Sequence, residues 1–391
     1  MKIYFHTFGC KVNQCETGSM TNKALAAGAE LCRPENADVI VINSCTVTAE
    51  ADRKVRQHIR RFSRLNPKAK IYFTGCYVDR AEKELKIQFP DVVFFANSQK
   101  QDICNIMGLS SLLPTSYFPL PSFSGRTRAF VKIQDGCDGN CAYCIVPKIR
   151  NKIFCKNPAD IISEVESYVE ACHKEIVLCG VRLGRYSWQL VDLIKELEKI
   201  NGLERIRLSS IDFNDITESL IDFMASSKKM CRHLHIPLQS GDDETLKNMR
   251  RPYNTKMFFE KIKSIRKKIP DIGITTDIIV GFPTETDENF KKSYDFIKKC
   301  GFSRLHIFKF SPRPGTDAAE MKSVCREHQI AGREKILKLL DAESRSEFAK
   351  QFKGKKLEVL TEAKGRGYTS NYIQVKLPAG APVNEIIEYE Q

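Results

Sequence analysis

One pattern occurs three times near the amino terminus and constrains the fold of this part of the chain. In KIYFHTFGC, ADVIVINSC and AKIYFTGC, a short apolar, β-branched or aromatic run leads into a turn that ends in cysteine. Helices are predicted between these runs, at 17–31 and 49–65, and a fourth strand is predicted at 91–96. Apolar strands that alternate with helices are typical of a parallel sheet covered on both faces. The pattern therefore predicts an amino-terminal parallel α/β sandwich.

The three cysteines of this pattern, Cys10, Cys45 and Cys76, each follow a predicted strand. Ligands of parallel sheets gather at the carboxyl ends of the strands, so the three thiols are expected to converge. Three thiolates can bind three of the four irons of a [4Fe-4S] cluster. The alternative is that each is a buried core cysteine, which is common for free cysteine. Glycine before Cys10 and Cys76 allows close approach of the backbone to a ligand and favours the cluster.

A second set of three cysteines lies in the stretch KIQDGCDGNCAYCIVP. Cys137, Cys141 and Cys144 are close enough along the chain for one loop to bind one cluster, and Tyr143 precedes the last of them. Three thiolates leave one iron of a cubane open to a non-protein ligand. A structural zinc site is the alternative, but such sites usually have four protein ligands, and no fourth Cys or His lies close by in the sequence.

Strand and helix patterns continue to alternate through the middle of the chain. Six strands are predicted, at 128–134, 175–179, 205–209, 233–238, 273–281 and 304–310. Amphipathic helical stretches such as DIISEVESYVEACH and NFKKSYDFIKKC separate them. Six such units with right-handed crossovers predict a partial (βα)6 barrel that is open on one side.

Barrel enzymes place their chemistry at the carboxyl ends of the strands. The loop with Cys137 follows the first barrel strand, so its cluster is expected at this mouth. Polar residues near the ends of later strands, including Asp212, Gln239 and Asp277, are expected to line the same mouth. Asp277 lies in the apolar run DIIVGFP, where a buried acid needs a partner. A structural hydrogen bond and a bound ligand would both satisfy it.

The chain is therefore predicted to be an α/β protein with three domains. Residues 1–110 form the amino-terminal domain, 111–125 a linker rich in Pro and Ser, and 126–351 the barrel. From 352 to 391 the pattern changes to short alternating strands punctuated by Gly and Pro, which predicts a small antiparallel β domain. Such domains often bind RNA, and a purely structural role is the alternative.

Composition narrows the class of partner and the compartment. The net charge is +14 and the pI is about 9.1, which favours a polyanionic partner. The chain starts with a strand pattern rather than an apolar signal segment, and no apolar run approaches the length that spans a membrane. Fifteen cysteines in such a chain indicate a reducing cytoplasm, where clustered cysteines usually bind metal.

The predicted helix after Cys45 carries a row of basic side chains. Arg53, Arg56, Arg60 and Arg64 follow one another at steps of three and four, which places them on one face. Contact with an RNA backbone and a solvated face are equally good interpretations of this row.

Taken together, these residues resemble the methylthiotransferase family of radical S-adenosylmethionine (SAM) enzymes, which have an amino-terminal three-cysteine domain, a radical SAM barrel and a carboxyl-terminal TRAM domain. The motifs that carry the resemblance are FGCKVNQCE, VINSCTVT, TGC, GCDGNCAYC, RIRLSSID, HIPLQSG, MRRPY, DIIVGFPTET and GYTSNYIQV. GCKVN at the first cysteine and TSNYIQV resemble the branch that acts on N6-threonylcarbamoyladenosine in tRNA.

The resemblance implies two [4Fe-4S] clusters, one on each set of cysteines, and two uses of SAM. One SAM molecule methylates sulfur at the first cluster, and another is cleaved at the second to give a radical that takes hydrogen from C2 of the adenine. The product is the 2-methylthio derivative of a nucleoside next to the anticodon. tRNA, an external electron donor and a sulfur source are the implied partners. Tyr143 is expected to pack on the adenine of SAM, and Asp212 and Gln239 to bind its polar groups.

Three alternatives stay open at this point. The chain would be a methylthiotransferase of isopentenyladenosine in tRNA, a methylthiotransferase of an aspartate in a ribosomal protein, or a non-enzymatic iron–sulfur or zinc protein that binds RNA. The first two share the radical chemistry and differ in substrate. The third would bind metal without cleaving SAM.

Overall fold

The computed structural model describes residues 1–109, 127–363 and 365–390. The predicted linker at 111–125 lies outside the described residues. The described residues form two compact units. The first contains the residues up to 109 together with Ile145–Asn151, and the second contains the rest. No helix in the described part of the chain is both long enough and apolar enough to cross a membrane.

The first unit is built on one parallel sheet. Its strands are β1 (Lys2–Thr7), β2 (Glu30–Leu31), β3 (Val39–Ser44), β4 (Lys70–Gly75) and β5 (Val93–Phe94). Its helices are α1 (Lys11–Ala26), α2 (Ala49–Leu65), α3 (Cys76–Gln88), α4 (Ile103–Met107) and the short α5 (Val146–Ile149). The strand order is β2-β1-β3-β4-β5, and every neighbouring pair is parallel. The predicted parallel sheet is confirmed.

Helices cover both faces of this sheet because its central strand is apolar on both sides. Ile40 and Ile42 of β3 pack with residues of α2 and α3 in one core cluster. Val39 and Val41 pack on the other face with residues of α1 and α4. Every residue of β3 is buried, as a near-continuous apolar strand predicts.

The start of α1 differs from the sequence prediction. The helix was expected at 17–31, but it begins at Lys11 and ends at Ala26, and Glu30–Leu31 forms an edge strand. The first turns of α1 are polar and carry no helical apolar periodicity. They are held by Asn13, whose Nδ2 donates to the carbonyl oxygens of Phe8 at 3.0 Å and Ser44 at 2.8 Å. These tertiary hydrogen bonds outweigh the weak local pattern.

The second unit contains six parallel strands in chain order. Its strands up to residue 309 are β6 (Arg128–Lys132), β7 (Gln134–Asp135), β8 (Phe154–Cys155), β9 (Glu175–Cys179), β10 (Arg205–Leu208), β11 (His233–His235), β12 (Gly273–Val280) and β13 (Arg304–Lys309). β6, β9 and β10 pair in parallel, as do β11, β12 and β13. A parallel bridge between Ser210 and His235 joins the two sheets. The predicted partial (βα)6 barrel is confirmed.

Helices connect the barrel strands or follow the last of them. They are α6 (Pro158–Glu170), α7 (Leu190–Glu198), α8 (Glu218–Ser226), α9 (Asp243–Asn248), α10 (Thr255–Lys268), α11 (Asp287–Cys300), α12 (Asp317–Glu320) and α13 (Glu327–Lys350). The short strands β7 and β8 form an antiparallel pair beside the loop that carries Cys137. The carboxyl ends of the barrel strands therefore lead into irregular segments, where a site can be built.

A four-stranded antiparallel sheet ends the chain, as predicted. Its strands are β14 (Lys356–Glu362), β15 (Arg366–Thr369), β16 (Gln374–Lys376) and β17 (Ile386–Glu390), in the order β16-β15-β14-β17. Arg205, the first residue of β10, donates to the carbonyl oxygens of Tyr368 at 3.1 Å and Glu358 at 2.8 Å. Gly273, the first residue of β12, lies against the carbonyl of Asn371. The small sheet thus packs on the amino-terminal ends of the barrel strands, away from the mouth.

Candidate metal centres

The first unit brings its three predicted cysteines to adjacent strand ends. Cys10 caps α1 just after β1, Cys45 follows β3 directly, and Cys76 begins α3 directly after β4. β1, β3 and β4 are neighbours in the sheet. Burial raises the pKa of Cys45 to about 12, and the negative charges that Cys76 and Cys10 carry as thiolates add to the increase. The three thiols therefore lie at the ends of three neighbouring strands of one sheet.

Two glycines allow the strand ends to approach one another. Gly9 has a φ of +103°, and a Cβ on it would lie 2.4 Å from the Cβ of Cys45. Gly75 has a φ of +108°, and a Cβ on it would lie 2.4 Å from both the backbone N and O of Ser44. Each glycine precedes one of the predicted ligands, Cys10 or Cys76. Both are required by the close packing of the turns and by a left-handed backbone.

Replacing Gly75 with alanine is expected to lower the free energy of unfolding by about 3 kcal/mol, because left-handed strain and steric overlap add. The same change should reduce the iron bound by the first set, since it displaces Cys76. Gly28→Ala is the matched control: its φ is +81°, and a Cβ there would meet no described atom within 4 Å. The control should lose only about 1 kcal/mol. Equal losses of unfolding free energy in the two variants, measured by urea denaturation, would contradict this account of Gly75.

The second cysteine set lies in the loop that follows β7. The backbone N–H of Gly139 donates to Sγ of Cys137 at 3.3 Å. Nη1 of Arg251 donates to Sγ of Cys141 at 3.1 Å, while its Nη2 binds the carboxylate of Asp212 at 2.6 Å. Arg251 therefore offers a hydrogen bond to the sulfur of a predicted iron ligand.

Of the three predicted SAM-binding residues, Tyr143 lies in this loop, Asp212 is linked to it through Arg251, and Gln239 lies in the segment after β11. Tyr143 is half-buried beside the apolar cluster of Ala142, Met249 and Phe282, and desolvation raises the pKa of its hydroxyl well above the usual value. Asp212 accepts from Arg251 and caps a short 3-10 helix. Gln239 has a φ of +71°, a strained conformation for a non-glycine residue that is frequent at functional sites. Their contacts with SAM remain a prediction.

The barrel interior supplies the partner that Asp277 was predicted to need. Nε2 of His235 lies 3.2 Å from Oδ1 of Asp277, and Nδ1 of the same ring lies 2.9 Å from Oγ1 of Thr275. Oγ of Ser209, at the end of β10, is buried and meets no hydrogen-bond partner within the described residues. An orphaned hydroxyl at this strand end suits a site that receives a polar ligand.

The row of arginines on α2 is already engaged within the first unit. Arg53 pairs with Glu50 at 2.6 Å, and Arg56 donates to the hydroxyl of Tyr77. Arg60 lies over the ring of Phe89 with its guanidinium carbon 5.4 Å from the centroid. Arg64 donates to the carbonyl oxygen of Arg60 at 3.3 Å. Their predicted contact with RNA remains a prediction.

Both cysteine sets fit an iron–sulfur cluster in their donor chemistry. Each offers three thiols on one loop or sheet edge, and a guanidinium donates to one thiol of each set. Hydrogen bonds to ligating sulfur are usual in iron–sulfur proteins. No group of three or more His, Cys, Asp or Glu in residues 1–109, 127–363 and 365–390 is arranged to hold a metal ion.

Sequence reasoning missed the arginines that contact the two cysteine sets. Arg251 lies in MRRPY, a motif that supported the resemblance but to which no role was assigned. Arg150 contacts Cys76 across 74 positions of sequence, and no local pattern marks it. The repeated arginine in MRRPY was the only available signal.

Comparison with known protein families agrees with this architecture. Residues 131–297 match the model of the radical SAM superfamily. Residues 2–96 match the model of the uncharacterized protein family UPF0004. Among solved structures, the radical S-adenosylmethionine methyltransferase TsrM from Kitasatospora setae has a TM-score of 0.61 at 13% identity, covering 81% of this chain and 75% of its own. At that identity the likeness shows the fold alone.

Curated relatives match the chain over nearly its full length. Threonylcarbamoyladenosine tRNA methylthiotransferase MtaB of Bacillus subtilis is 37% identical, covering 95% of this chain and 89% of the relative. MtaB of Aquifex aeolicus is 35% identical over 99% of both. The tRNA-2-methylthio-N(6)-dimethylallyladenosine synthase of Aquifex aeolicus is 33% identical over 94% of this chain and 89% of the relative. The chain therefore belongs to the methylthiotransferase family of radical SAM enzymes.

Proposed function

We propose that this protein is a radical SAM tRNA methylthiotransferase that converts N6-threonylcarbamoyladenosine next to the anticodon to its 2-methylthio derivative. The observation that carries the proposal is the pair of three-thiol sets, the first at the carboxyl ends of parallel strands in the first unit and the second in the loop that follows β7 in the second unit. The names of the relatives with 35–37% identity over 95–99% of the chain support the threonylcarbamoyl substrate.

The two sets have separate tasks under this proposal. When bound, two [4Fe-4S] clusters and SAM supply the sulfur, the methyl group and the radical that methylthiolation of an unactivated carbon requires. Cys10, Cys45 and Cys76 hold the first cluster, and the second set of cysteines holds the other. The second cluster's open iron leaves room for the amino and carboxylate groups of SAM.

Side chains around the second set orient these groups. Arg251 neutralises charge at Cys141 and is itself fixed by Asp212. Tyr143 presents a half-buried aromatic surface for the adenine of SAM, and Gln239 offers an amide at the mouth. The pair of His235 and Asp277 keeps a polar, hydrogen-bonded wall inside the barrel.

The partners follow from the same reaction. tRNA is the substrate, and the net charge of +14 favours its binding. Arg53, Arg56, Arg60 and Arg64 are proposed to approach the RNA backbone. An external electron donor and a sulfur source complete the cycle, and we place the reaction in the cytoplasm, where tRNA is modified. The domain boundaries proposed are 1–110, 126–351 and 352–391.

Substrate choice can be tested with anticodon stem-loop RNAs that differ only at the target nucleoside. Protein reconstituted with iron and sulfide under anaerobic conditions is given SAM, a reductant and RNA carrying threonylcarbamoyladenosine, isopentenyladenosine or adenosine. We expect 2-methylthio product from the threonylcarbamoyl RNA at a rate at least tenfold above the other two. Product from the isopentenyl RNA alone would contradict the proposed substrate and favour the activity named for the dimethylallyladenosine relatives.

A further inference from the structure

Arg150 belongs to the first unit although it follows the second cysteine set in the sequence. It lies in Ile145–Asn151, the segment directly after Cys144 that is part of the first unit. Its side chain is 7% exposed. Nε of Arg150 lies 3.4 Å from Sγ of Cys76, a distance at which an N–H donates to sulfur. A residue outside the amino-terminal sequence thus contacts a predicted ligand of the first cluster.

The guanidinium of Arg150 is fixed by several further hydrogen bonds. Its Nη1 donates to Oε1 of Glu16 at 2.7 Å, and its Nη2 donates to Oε2 of Glu16 at 3.0 Å. Nη2 also donates to Oδ1 of Asn13 at 3.1 Å. A bidentate pair with carboxylate sets the plane of the guanidinium, which leaves Nε–H directed at the sulfur.

A second cation supports the same carboxylate. Nζ of Lys100 lies 2.5 Å from Oε2 of Glu16, and the side chains of Lys100 and Glu16 are 5% and 9% exposed. Arg150 and Lys100 therefore both pair with the buried carboxylate of Glu16 beside Cys76. Burying charge is unfavourable unless it is paired, so this arrangement suits an anionic neighbour. A thiolate-ligated cluster is such a neighbour.

We propose that Arg150 is a positioning residue of the first cluster. It donates a hydrogen bond from Nε to the Cys76 ligand, and with the buried positive charge it favours the one-electron reduced state of that cluster. Hydrogen bonds to ligating sulfur and local charge are established determinants of cluster reduction potential. The inference rests on the proposed function, because it assumes a cluster on Cys10, Cys45 and Cys76.

The reduction potential of the first cluster tests the proposal directly. The full-length chain is prepared with Cys137, Cys141 and Cys144 all replaced by alanine, so that only the first set takes up a cluster. Dithionite supplies one electron to each oxidised cluster, and the reduced fraction is followed by electron paramagnetic resonance. In this background, Arg150→Gln should disfavour reduction at least tenfold, equivalent to about 59 mV for a one-electron couple.

Two further variants separate the hydrogen bond from the charge and from general destabilisation. Arg150→Lys keeps the charge, but one ammonium cannot bind both carboxylate oxygens of Glu16 and also donate to Cys76. This variant should therefore recover less than half of the shift in reduction potential that Arg150→Gln causes. Arg80→Gln is the control. Arg80 is an arginine of the same unit whose side chain is 13% exposed and donates to Thr46 at 2.8 Å and Asp52 at 2.9 Å. Replacing Arg80 should change the equilibrium constant for reduction of the first cluster less than threefold.

The possible outcomes distinguish this proposal from the function beneath it. Loss of iron in Arg150→Gln alone, with iron retained in Arg80→Gln, would support the positioning of Cys76. A loaded cluster with an unchanged potential in Arg150→Gln would overturn the inference and leave the proposed function intact. Equal shifts in Arg150→Gln and Arg80→Gln would also overturn it. Failure of the first set to bind iron with Arg150 present would overturn the proposed function and the inference with it.

Discussion

Replacing Cys137 with alanine is expected to abolish reductive cleavage of SAM while the first set keeps its iron. The two cysteine sets belong to different compact units, so loss of a ligand in one leaves the other intact. Iron should fall from about eight to about four atoms per chain, because each cubane contains four. Cleavage is measured as 5′-deoxyadenosine released after addition of a reductant.

Cys45→Ala is expected to give the complementary result. This variant should still cleave SAM but should form no methylthio product, because the first cluster is absent. Cys32→Ala is the matched control, since Cys32 lies in the same unit beside β2 and belongs to neither set. The control should retain both iron content and product. Full product formation by Cys45→Ala would refute the role of the first set.

Replacing Glu175 with glutamine is expected to destabilise the second unit by about 3–5 kcal/mol, the usual effect of removing one partner of a buried ion pair. Glu175 is 0% exposed. Its carboxylate accepts from Nε of Arg207 at 2.7 Å and lies 3.8 Å from Nη1 of Arg205. The variant would leave two buried guanidinium groups without their shared anion, at the ends of the strands that hold the small β-sheet.

Glu358→Gln is the control for this prediction. Glu358 also faces Arg205 at 3.8 Å, but its side chain is 73% exposed. Its replacement should change the free energy of unfolding by no more than about 0.5 kcal/mol. The two variants are compared by the midpoint of urea unfolding. Equal midpoints would show that the buried pair does not stabilise the contact between the barrel and the small sheet.

Acid should remove the stabilisation that the carboxylate of Glu175 provides. Burial alone would raise the pKa of Glu175, but the surrounding guanidinium groups, Arg207 foremost, outweigh burial and bring the pKa below its usual value of 4.5. Because the pKa of Glu175 is lower in the folded state than in the unfolded state, the ionised carboxylate stabilises the fold at pH values above the unfolded-state pKa. This stabilisation is lost as the pH falls through the folded-state pKa. The difference in free energy of unfolding between wild type and Glu175→Gln should therefore shrink as the pH falls below 4.5.

The sequence was sufficient to predict features that depend on local pattern. The sequence pattern predicted a strand at 175–179 and a helix at 49–65. The structure has β9 and α2 with these bounds. The placement of Cys10, Cys45 and Cys76 at the ends of neighbouring strands followed from a general property of parallel sheets, that strand ends share one edge. These inferences needed no knowledge of individual side-chain contacts.

Features that depend on distant contacts were not predictable in this way. The early start of α1 depends on hydrogen bonds from Asn13 to Phe8 and to Ser44 at the end of β3. The contact of Arg150 with Cys76 depends on the segment Ile145–Asn151 belonging to the first unit. The attachment of the small sheet depends on Arg205 and on backbone carbonyls, which have no sequence signature. In each case a polar side chain forms a hydrogen bond with a group that only the tertiary fold brings close to it.

The proposed function is tested most directly by nucleoside mass spectrometry of total tRNA from cells that lack this gene, complemented with the wild type or with Cys137→Ala. We predict that 2-methylthio-N6-threonylcarbamoyladenosine disappears in the deletion and that only the wild type restores it. That result would establish the substrate, the reaction and the need for the second cysteine set together. An unchanged level of this nucleoside in the deletion, with loss of its isopentenyl counterpart or of neither, would contradict the proposed function.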